Sequence, residues 1–287
     1  MDLRALGLGL AFVVMWASAF TSAKIAVAYA PPFLILTVRF LISGFMGVAI
    51  AAWLGQRIRL TRAQWIATAL FGVCQNTLYL GLNFTAMQWI DASLAAIIAS
   101  ALPITVAAAG FAFGQRLSLL GIAGLVAGAI GVLLVMGDRL SGGADPLGVV
   151  LCIAGLGALT VATMVLTNAS PGDNKLMVVG LQMLVGAATL LPLSLIFETW
   201  EVTWSWQLIV AFTYTTLVPG LLATLTWFVL VDRIGPTRAA TFHFLNPFLG
   251  VAIAAVILGE ALGARDLIGV AIITAGILAV QMARQRG

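Results

Sequence analysis

Two cations lie inside long apolar stretches of the chain, where an unpaired charge is expensive. Lys24 and Arg39 each fall within about two helical turns of the end of a predicted membrane helix. On insertion scales, a cation at mid-bilayer costs roughly 2.5–3.5 kcal/mol. Each side chain could extend to the membrane surface or pair with a carboxylate such as Asp91 or Glu260. Each could instead bind the carboxylate of a substrate or latch a gate, and the sequence leaves both interpretations open.

Polar and aromatic residues also recur near the middle of several apolar runs. Asn76, Tyr79 and Asn83 follow an i, i+3, i+7 spacing and therefore share one helix face. Any one such residue is explained by a hydrogen bond between helices, worth about 0.6 kcal/mol. Their recurrence at similar depth in both chain halves instead favours a shared aqueous cavity. The predicted lining is Trp16, Phe20, Asn76, Tyr79, Ser100, Thr160, Tyr214, His243 and Asn246.

These side chains suit a small zwitterion. Aromatic and apolar surface would come from Trp16, Phe20, Tyr79 and Tyr214. Hydrogen bonds to an amino-acid head group would come from Asn76, Thr160, His243 and Asn246. Pro103 and Pro247 each remove a helical hydrogen bond, so they predict bending points for gates. The other interpretation is that proline is simply common in membrane helices.

His243 is the single histidine of the chain, and histidine normally titrates near neutral pH. Two interpretations stay open: a neutral, hydrogen-bonded helix residue, or a group that couples protons or senses substrate. No Asp or Glu lies in a predicted span, whereas ion-driven carriers usually need an embedded group to bind the ion. The sequence therefore favours a facilitator that runs down the substrate gradient, although backbone carbonyls can bind sodium.

The composition places the chain in a lipid bilayer. Hydrophobic residues make up 62% of it and charged residues 8%, whereas soluble domains carry about 25% charged residues. The net charge of +4 is explained by basic residues that flank membrane spans. Cys74 and Cys152 lack metal-ligand spacing, and neither a Walker A motif nor a Gly-x-Ser-x-Gly elbow is present. We therefore predict no cofactor, no metal, no catalysis and no nucleic-acid partner.

Ten apolar runs of about 20 residues predict an all-α integral membrane protein. The predicted spans are 5–28, 33–53, 64–86, 92–113, 118–136, 147–168, 175–197, 206–230, 237–258 and 265–282. Ten basic residues fall on the face that holds both termini and two on the other, which places both termini in the cytoplasm. Ala17-Ser18-Ala19 resembles a signal-peptidase site, but the apolar run continues beyond it, so we expect the first helix to be retained.

The second half of the sequence repeats the first. Pro103 matches Pro247 144 positions later, and Gly131 matches Gly276 145 positions later. If each half crosses the bilayer five times, the two copies lie inverted, as is typical of secondary transporters. The predicted repeats are residues 1–141 and 142–287. The fifth and tenth helices are rich in glycine and poor in polar groups, so we expect them to pack peripherally within the molecule, with dimerisation left open.

Several of these residues together carry a resemblance to a known family. They are Trp16-Ala-Ser18-Ala-Phe20 with Lys24, Pro32 with Arg39-Phe40, Pro103 with Gly114, and Pro247 with Gly259-Glu260. Over essentially its whole length the chain resembles the ten-helix, EamA-type branch of the drug/metabolite transporter superfamily, and within it amino-acid exporters of the YddG kind. The resemblance implies two inverted five-helix halves, with helices 1, 3, 4, 6, 8 and 9 around a central path. The chain departs from the family pattern at one position. Gln115 in the first half is the counterpart of Glu260 in the second half, where such families often have Glu in both copies.

The residues and the resemblance together predict a secondary transporter of the bacterial inner membrane. It would export small metabolites, above all aromatic or other neutral amino acids, by alternating access and without a coupling ion. One alternative is efflux of drugs or other metabolites, with proton coupling left open. Another is a membrane scaffold that transports nothing. The expected partners are a small-molecule substrate and the lipid bilayer, and the expected state is a monomer, with a dimer left open.

Overall fold

A computed structural model describes residues 3–114, 118–167, 174–234, 239 and 241–286, and all regular secondary structure within this part of the chain is helical. The helices are α1 (Leu3–Val27), α2 (Pro32–Trp53), α3 (62–86), α4 (92–112), α5 (Leu119–Ser141), α6 (Pro146–Thr167), α7 (Lys175–Phe197), α8 (206–234), α9 (241–258) and α10 (Ala264–Arg286). Eight of these, all except α3 and α9, are long and apolar enough to cross a membrane, and α9 contains a shorter apolar helix. The chain is therefore a multi-pass membrane protein.

These helices match the predicted spans in position but not in every boundary. α5 ends at Ser141 rather than at 136, and α10 extends to Arg286 rather than to 282. α5 can continue through Arg139 because that guanidinium finds a carboxylate partner, Asp266, at the start of α10. Gln115, Arg116 and Arg238, which enter the repeat and charge comparisons, lie outside the described residues.

Two helices contain a π-helical segment, in which hydrogen bonds span five residues rather than four. The segments are Gly72–Tyr79 in α3 and Thr216–Leu222 in α8. They begin 144 positions apart, the same offset that separates Pro103 from Pro247. Pro219 lies inside the second segment, where it supplies no N–H to the helix. Such segments are frequent at functional sites, so both mark places to look for a ligand.

The two prolines predicted as bending points follow breaks in α4 and α9. α4 is interrupted by a turn at Ala101, and α9 begins with a 3-10 segment over Thr241–Leu245. Pro103 and Pro247 are each the second residue of the α-helix that follows the break. At that position a backbone N–H has no partner in the helix, so neither proline removes a helical hydrogen bond, and this part of the sequence-based prediction is wrong.

Glycines bring two pairs of helices into backbone contact. Between α5 and α10, a Cβ on Gly276 would lie 2.7 Å from both the Gly124 carbonyl oxygen and the Gly128 nitrogen. Between α2 and α7, a Cβ on Gly180 would lie 2.7 Å from the Val48 nitrogen. The glycine-rich fifth and tenth helices therefore pack within the molecule, as the sequence predicts, and their contact is with each other.

The two ends of the bundle differ in how continuously they pack. The ion-pair end, where Arg139, Asp91 and Asp266 meet, is filled by one large apolar cluster that includes Leu36 and Met87. The terminal end, where α1 begins and α10 ends, has two smaller and separate clusters. One is built on α1, α8 and α9, and the other is built mainly on α2 and α7. Among the described residues, the apolar core thus forms one large cluster at the ion-pair end and two small ones at the terminal end, and α8 contributes to both of these.

Candidate functional site

Five helices surround a cavity with about 700 Å³ of empty space, including the part that is open to solvent. Its walls come from α1, α2, α3, α7 and α8. The aromatic lining residues are Trp16, Phe20, Phe40, Tyr79 and Phe84, and the polar ones are Arg39, Gln75, Asn76, Asn83 and Thr224. No Asp or Glu is among the described residues that line it. A mainly apolar cavity with a few polar groups is the usual form of a small-molecule site.

Matching positions of the two chain halves line this cavity. Gln75 and Pro219, one from each π segment, both lie in the wall and are 144 positions apart. Arg39 in α2 and Met183 in α7 are related in the same way. The cavity therefore lies between corresponding parts of the two halves, and its positive charge comes from the first half alone.

Arg39 is a buried cation without a counter-ion among the described residues. Only 6% of the residue is exposed, and its Nε has no hydrogen-bond partner. Its guanidinium forms no ion pair with any described residue. It lies close to the neighbouring Phe40, whose ring centre is 5.4 Å from the Arg39 Cζ. A buried charge is normally paired, because removing an ion from water costs several kcal/mol. A guanidinium in a cavity wall without a described partner is therefore a candidate ligand for an anion, and its planar fork fits a carboxylate.

The face of α3 predicted from its spacing lines the cavity, and its polar groups differ in how far they are engaged. The Asn76 Nδ2 donates to the Gln182 carbonyl oxygen at 2.8 Å, which ties the π segment to α7. The Asn83 Nδ2 donates to the Tyr79 carbonyl oxygen at 2.8 Å. Gln75 and Tyr79 also line the wall, and neither side chain is hydrogen-bonded to another described residue.

Three residues predicted to line the cavity lie away from it, in packing contacts of their helices. The Ser100 Oγ donates at 2.6 Å to a carbonyl one turn earlier in its own helix. The Thr160 Oγ1 lies 2.7 Å from the Thr105 Oγ1, which joins α6 to α4. The Tyr214 hydroxyl lies 2.8 Å from the Ser18 Oγ, which joins α8 to α1.

His243 lies in an aromatic cluster behind the cavity wall. Its ring packs edge-on against Phe12, Trp16 and Trp227, with centroid distances of 5.2, 6.1 and 5.2 Å. The Asn246 amide donates to His243 Nδ1 at 2.9 Å, while its buried Oδ1 finds no partner in the part of the chain described. Trp16 belongs to both groups, because it lines the cavity and also contacts His243.

Lys24 stabilises the end of a helix and does not line the cavity. Its Nζ donates to the carbonyl oxygens of Met87 and Ile90, at 2.7 and 2.9 Å. A cation at this place also complements the negative end of the α3 dipole. Neither of the two carboxylates suggested as partners is bonded to Lys24. Asp91 pairs with Arg139 at 3.0 Å, and Glu260 accepts backbone N–H groups at the start of α4.

Two glutamates cap helices at the ion-pair end. Glu198, just after α7, accepts the N–H groups of Phe33 and Leu34 in the first turn of α2, at 2.7 and 2.9 Å. Glu260, just after α9, accepts the N–H groups of the first two residues of α4, at 2.8 and 2.9 Å. Each carboxylate satisfies two free helix N–H groups and complements the helix dipole. The sequence shows these acids at helix boundaries, but their partners are 164 to 168 residues away.

Sequence reasoning did not place Gln75, Phe40 or Met183 in the predicted lining of the cavity. Gln75 directly precedes Asn76, and in a regular α-helix neighbouring side chains point about 100° apart. Here both line the cavity, within the π segment of α3. The sequence carried one signal for two of these residues, the repeat offset of 144 positions. At this offset Gln75 corresponds to Pro219, and Met183 corresponds to Arg39.

A multi-pass helical protein with a small-molecule cavity between corresponding parts of its two halves has the form of a membrane carrier. The EamA-like transporter family matches the chain twice, over residues 3–137 and 146–282, and the chain belongs to that family. A Bacillus subtilis protein named uncharacterized transporter YvbV is 24% identical over 270 residues, which are 93% of this chain and 88% of that protein. A Salmonella typhimurium protein named probable amino-acid metabolite efflux pump is 27% identical over 284 residues, 94% of this chain and 92% of that one. A solved crystal structure at 20% identity shares the fold, with a TM-score of 0.69 over 99% of this chain and 100% of that one.

Proposed function

We propose that this protein exports small molecules that bear a carboxylate, above all amino acids with aromatic or other neutral side chains. The observation that carries this proposal is Arg39, a buried guanidinium without a described counter-ion in the wall of the cavity. Membership of a transporter family supports passage of the ligand through the protein rather than its conversion. The name of the Salmonella typhimurium relative supports amino-acid metabolites as the substrate class.

The rest of the cavity suits an amino acid with a neutral side chain. A carboxylate held by Arg39 would leave that side chain against the aromatic wall formed by Phe20, Phe40 and Phe84. The Gln75 amide oxygen and the Tyr79 hydroxyl can each accept a hydrogen bond from the ammonium group. The absence of Asp and Glu from the described wall argues against cationic drugs, which would need a negative partner.

The proposed architecture has ten membrane-crossing helices in two inverted repeats, residues 1–141 and 142–287. The two family matches support it, as does the equal spacing of the π segments and of the helix breaks. Inverted repeats expose a central site to each side of the membrane in turn. Pro103 and Pro247, which follow the breaks in α4 and α9, are the proposed bending points of the two gates.

The proposed membrane is the bacterial inner membrane, with the terminal end of the bundle in the cytoplasm. The excess of basic residues near that end supports this orientation. Among the described residues, the apolar core at that end consists of two small clusters rather than one large one. In this proposal, substrate enters the cavity from the cytoplasm at the terminal end.

Transport without a coupling ion is part of the same proposal. No carboxylate lines the cavity among the described residues, so the wall offers no acid to carry a proton or sodium ion. His243 is separated from the cavity by the Trp16 ring. The substrate gradient alone would therefore drive export.

Uptake of labelled phenylalanine, leucine and threonine into proteoliposomes tests the proposal. We expect saturable uptake, a rise of at least about tenfold in KM for Arg39→Gln and a smaller rise for Arg39→Lys, which keeps the charge but not the fork. The carboxamide of each amino acid is the control, because its binding should not change in Arg39→Gln. Equal uptake of the acids by wild type and Arg39→Gln would overturn the proposal. Uptake of cationic drugs alone would favour the efflux alternative.

A further inference from the structure

We infer that Ser43 is the second ligand of the carboxylate site and that it acts together with Arg39, one helical turn away on α2. This inference rests on the proposed function and adds to it a residue that selects for the carboxylate. Residues four apart lie on the same face of a helix, so Ser43 and Arg39 point to the same side of α2.

The hydroxyl of Ser43 is buried and unused. Ser43 is 0% exposed, and its Oγ has no hydrogen-bond partner among the residues that the structure describes. Serine and threonine within a helix usually bond to a carbonyl of the preceding turn, as Ser18 and Thr85 do in this chain. A buried hydroxyl without a partner costs about 1–3 kcal/mol. A ligand oxygen beside it would recover that energy.

The side chains of Ser43 and Arg39 both lie close to Gly220. A Cβ built on Gly220 would lie 3.6 Å from the Ser43 Oγ and 3.7 Å from the Arg39 Nη2. Gly220 lines the cavity within the π segment of α8, whereas Ser43 lies directly behind that lining. A methyl group on Gly220 would be in ordinary van der Waals contact with both donors, so the gap beside Gly220 has room for one small group. A small group seated beside Gly220 can therefore reach both donors, and a carboxylate has two oxygens to divide between them.

Thr37 is a matched comparison on the same helix. Its Oγ1 is also buried and unpartnered within the described chain. It lies two residues before Arg39, about 200° around the helix, so it faces away from the point beside Gly220. Removing either hydroxyl removes a desolvated polar group, but only the loss of Ser43 should change recognition of a carboxylate.

Binding of phenylalanine and of phenylalaninamide to the purified full-length protein tests the inference. We expect Ser43→Ala to raise the Kd for phenylalanine about tenfold, the equivalent of one hydrogen bond to a charged group. The Kd for the amide should stay within about twofold, and Ser43→Cys, which keeps a weak donor, should lie between. Thr37→Val should change neither Kd, and its melting temperature should stay equal or rise.

Gly220→Ala is the second variant, because its methyl group would occupy the gap beside Gly220. That methyl group would lie 3.2 Å from the Thr215 carbonyl oxygen, so a small adjustment accommodates it. We expect folded protein whose phenylalanine binding is weakened at least as much as in Ser43→Ala.

Three results would contradict these expectations, and they are distinguishable. Unchanged phenylalanine binding in Ser43→Ala, with Arg39→Gln still impaired, overturns the role of Ser43 and leaves the proposed function standing. Equal loss of acid and amide binding in Ser43→Ala assigns the residue to packing and also overturns the inference. Failure of the wild type to distinguish any of the three amino acids from its amide overturns the inference and the proposed function together.

Discussion

The Lys24 ammonium is bonded to the carbonyl oxygen of Met87 at 2.7 Å, and Met87 is itself a residue of the cavity wall. A second bond, to the Ile90 carbonyl at 2.9 Å, holds the chain where it leaves α3. The cation therefore joins α1 to the end of α3 and fixes one border of the cavity. Its charge is compensated by carbonyl dipoles, whereas the charge of Arg39 has no such partner in the described chain.

Lys24→Gln should destabilise the protein without changing recognition of the substrate carboxylate. Leaving the Met87 and Ile90 carbonyls without a charged donor is expected to cost about 1–3 kcal/mol. Unfolding in detergent would measure the loss, and Lys24→Arg, which can still donate, should recover most of it. A selective loss of acid over amide uptake in Lys24→Gln would instead place Lys24 in the substrate site.

Arg139→Ala should be far more damaging than Arg265→Ala, although both remove an ion pair at the same end of the bundle. Arg139 bonds to Asp91 and to Asp266 at 3.0 and 2.9 Å, and Asp266 is only 2% exposed. Removing one partner of a buried pair costs about 3–5 kcal/mol because the other charge stays buried. Arg265 is largely exposed, so losing its pair with Asp138 should cost below about 1 kcal/mol. Thermal unfolding of both variants checks the difference, and equal losses would show that Asp266 rehydrates readily.

His243→Phe should transport nearly as well as wild type, and the uptake of both should ignore a pH gradient. Phenylalanine keeps a ring against Phe12, Trp16 and Trp227. His243→Ala opens a void beside Trp16 and should lower uptake about tenfold by loosening the cavity wall. Proteoliposome uptake with and without an imposed pH gradient is the measurement. Gradient-driven accumulation that both variants lose would make His243 the proton-coupling group and end the facilitative proposal.

Gly276→Ala should disrupt the contact between α5 and α10. The new methyl group would lie 2.7 Å from the backbone of both Gly124 and Gly128, so the helices would have to separate. Overpacking of this kind costs about 1–3 kcal/mol. Gly137→Ala, in α5 with nothing within 4 Å of the added methyl, is the control and should gain up to about 1 kcal/mol. Melting temperatures that fall equally for both variants would exclude close packing as the cause.

The helix positions were predictable from the sequence because apolar runs of membrane length have no other stable form in lipid. The cavity was predictable in part, since Trp16, Phe20, Asn76 and Tyr79 all line it. Their regular spacing on α1 and α3 is a local property of the chain. Arg39 also lines the cavity, although the sequence left open whether this cation pairs with a carboxylate, extends to the membrane surface or binds a substrate.

The location of the remaining predicted residues depends on contacts that spacing cannot reveal. Tyr214 lies five residues before Pro219 in α8, yet its hydroxyl meets Ser18 of α1, 196 residues away in sequence. The π segment that begins at Thr216 changes the angular register of α8 from that point on. A regular helical projection through α8 is therefore unreliable beyond it. Thr160 is likewise hydrogen-bonded to a hydroxyl of another helix and does not line the cavity.

Ala19→Trp distinguishes a carrier from a membrane scaffold. Ala19 lines the cavity on α1, so an indole there should fill the space that a substrate needs and reduce uptake to background. Val14→Trp, on the same helix, is the control, because Val14 is 44% exposed on the apolar surface and an indole there faces lipid. Uptake of labelled phenylalanine by both variants, normalised to folded protein, is the measurement. A scaffold would be indifferent to both substitutions, so blocked flux in Ala19→Trp alone requires that the substrate pass through this cavity.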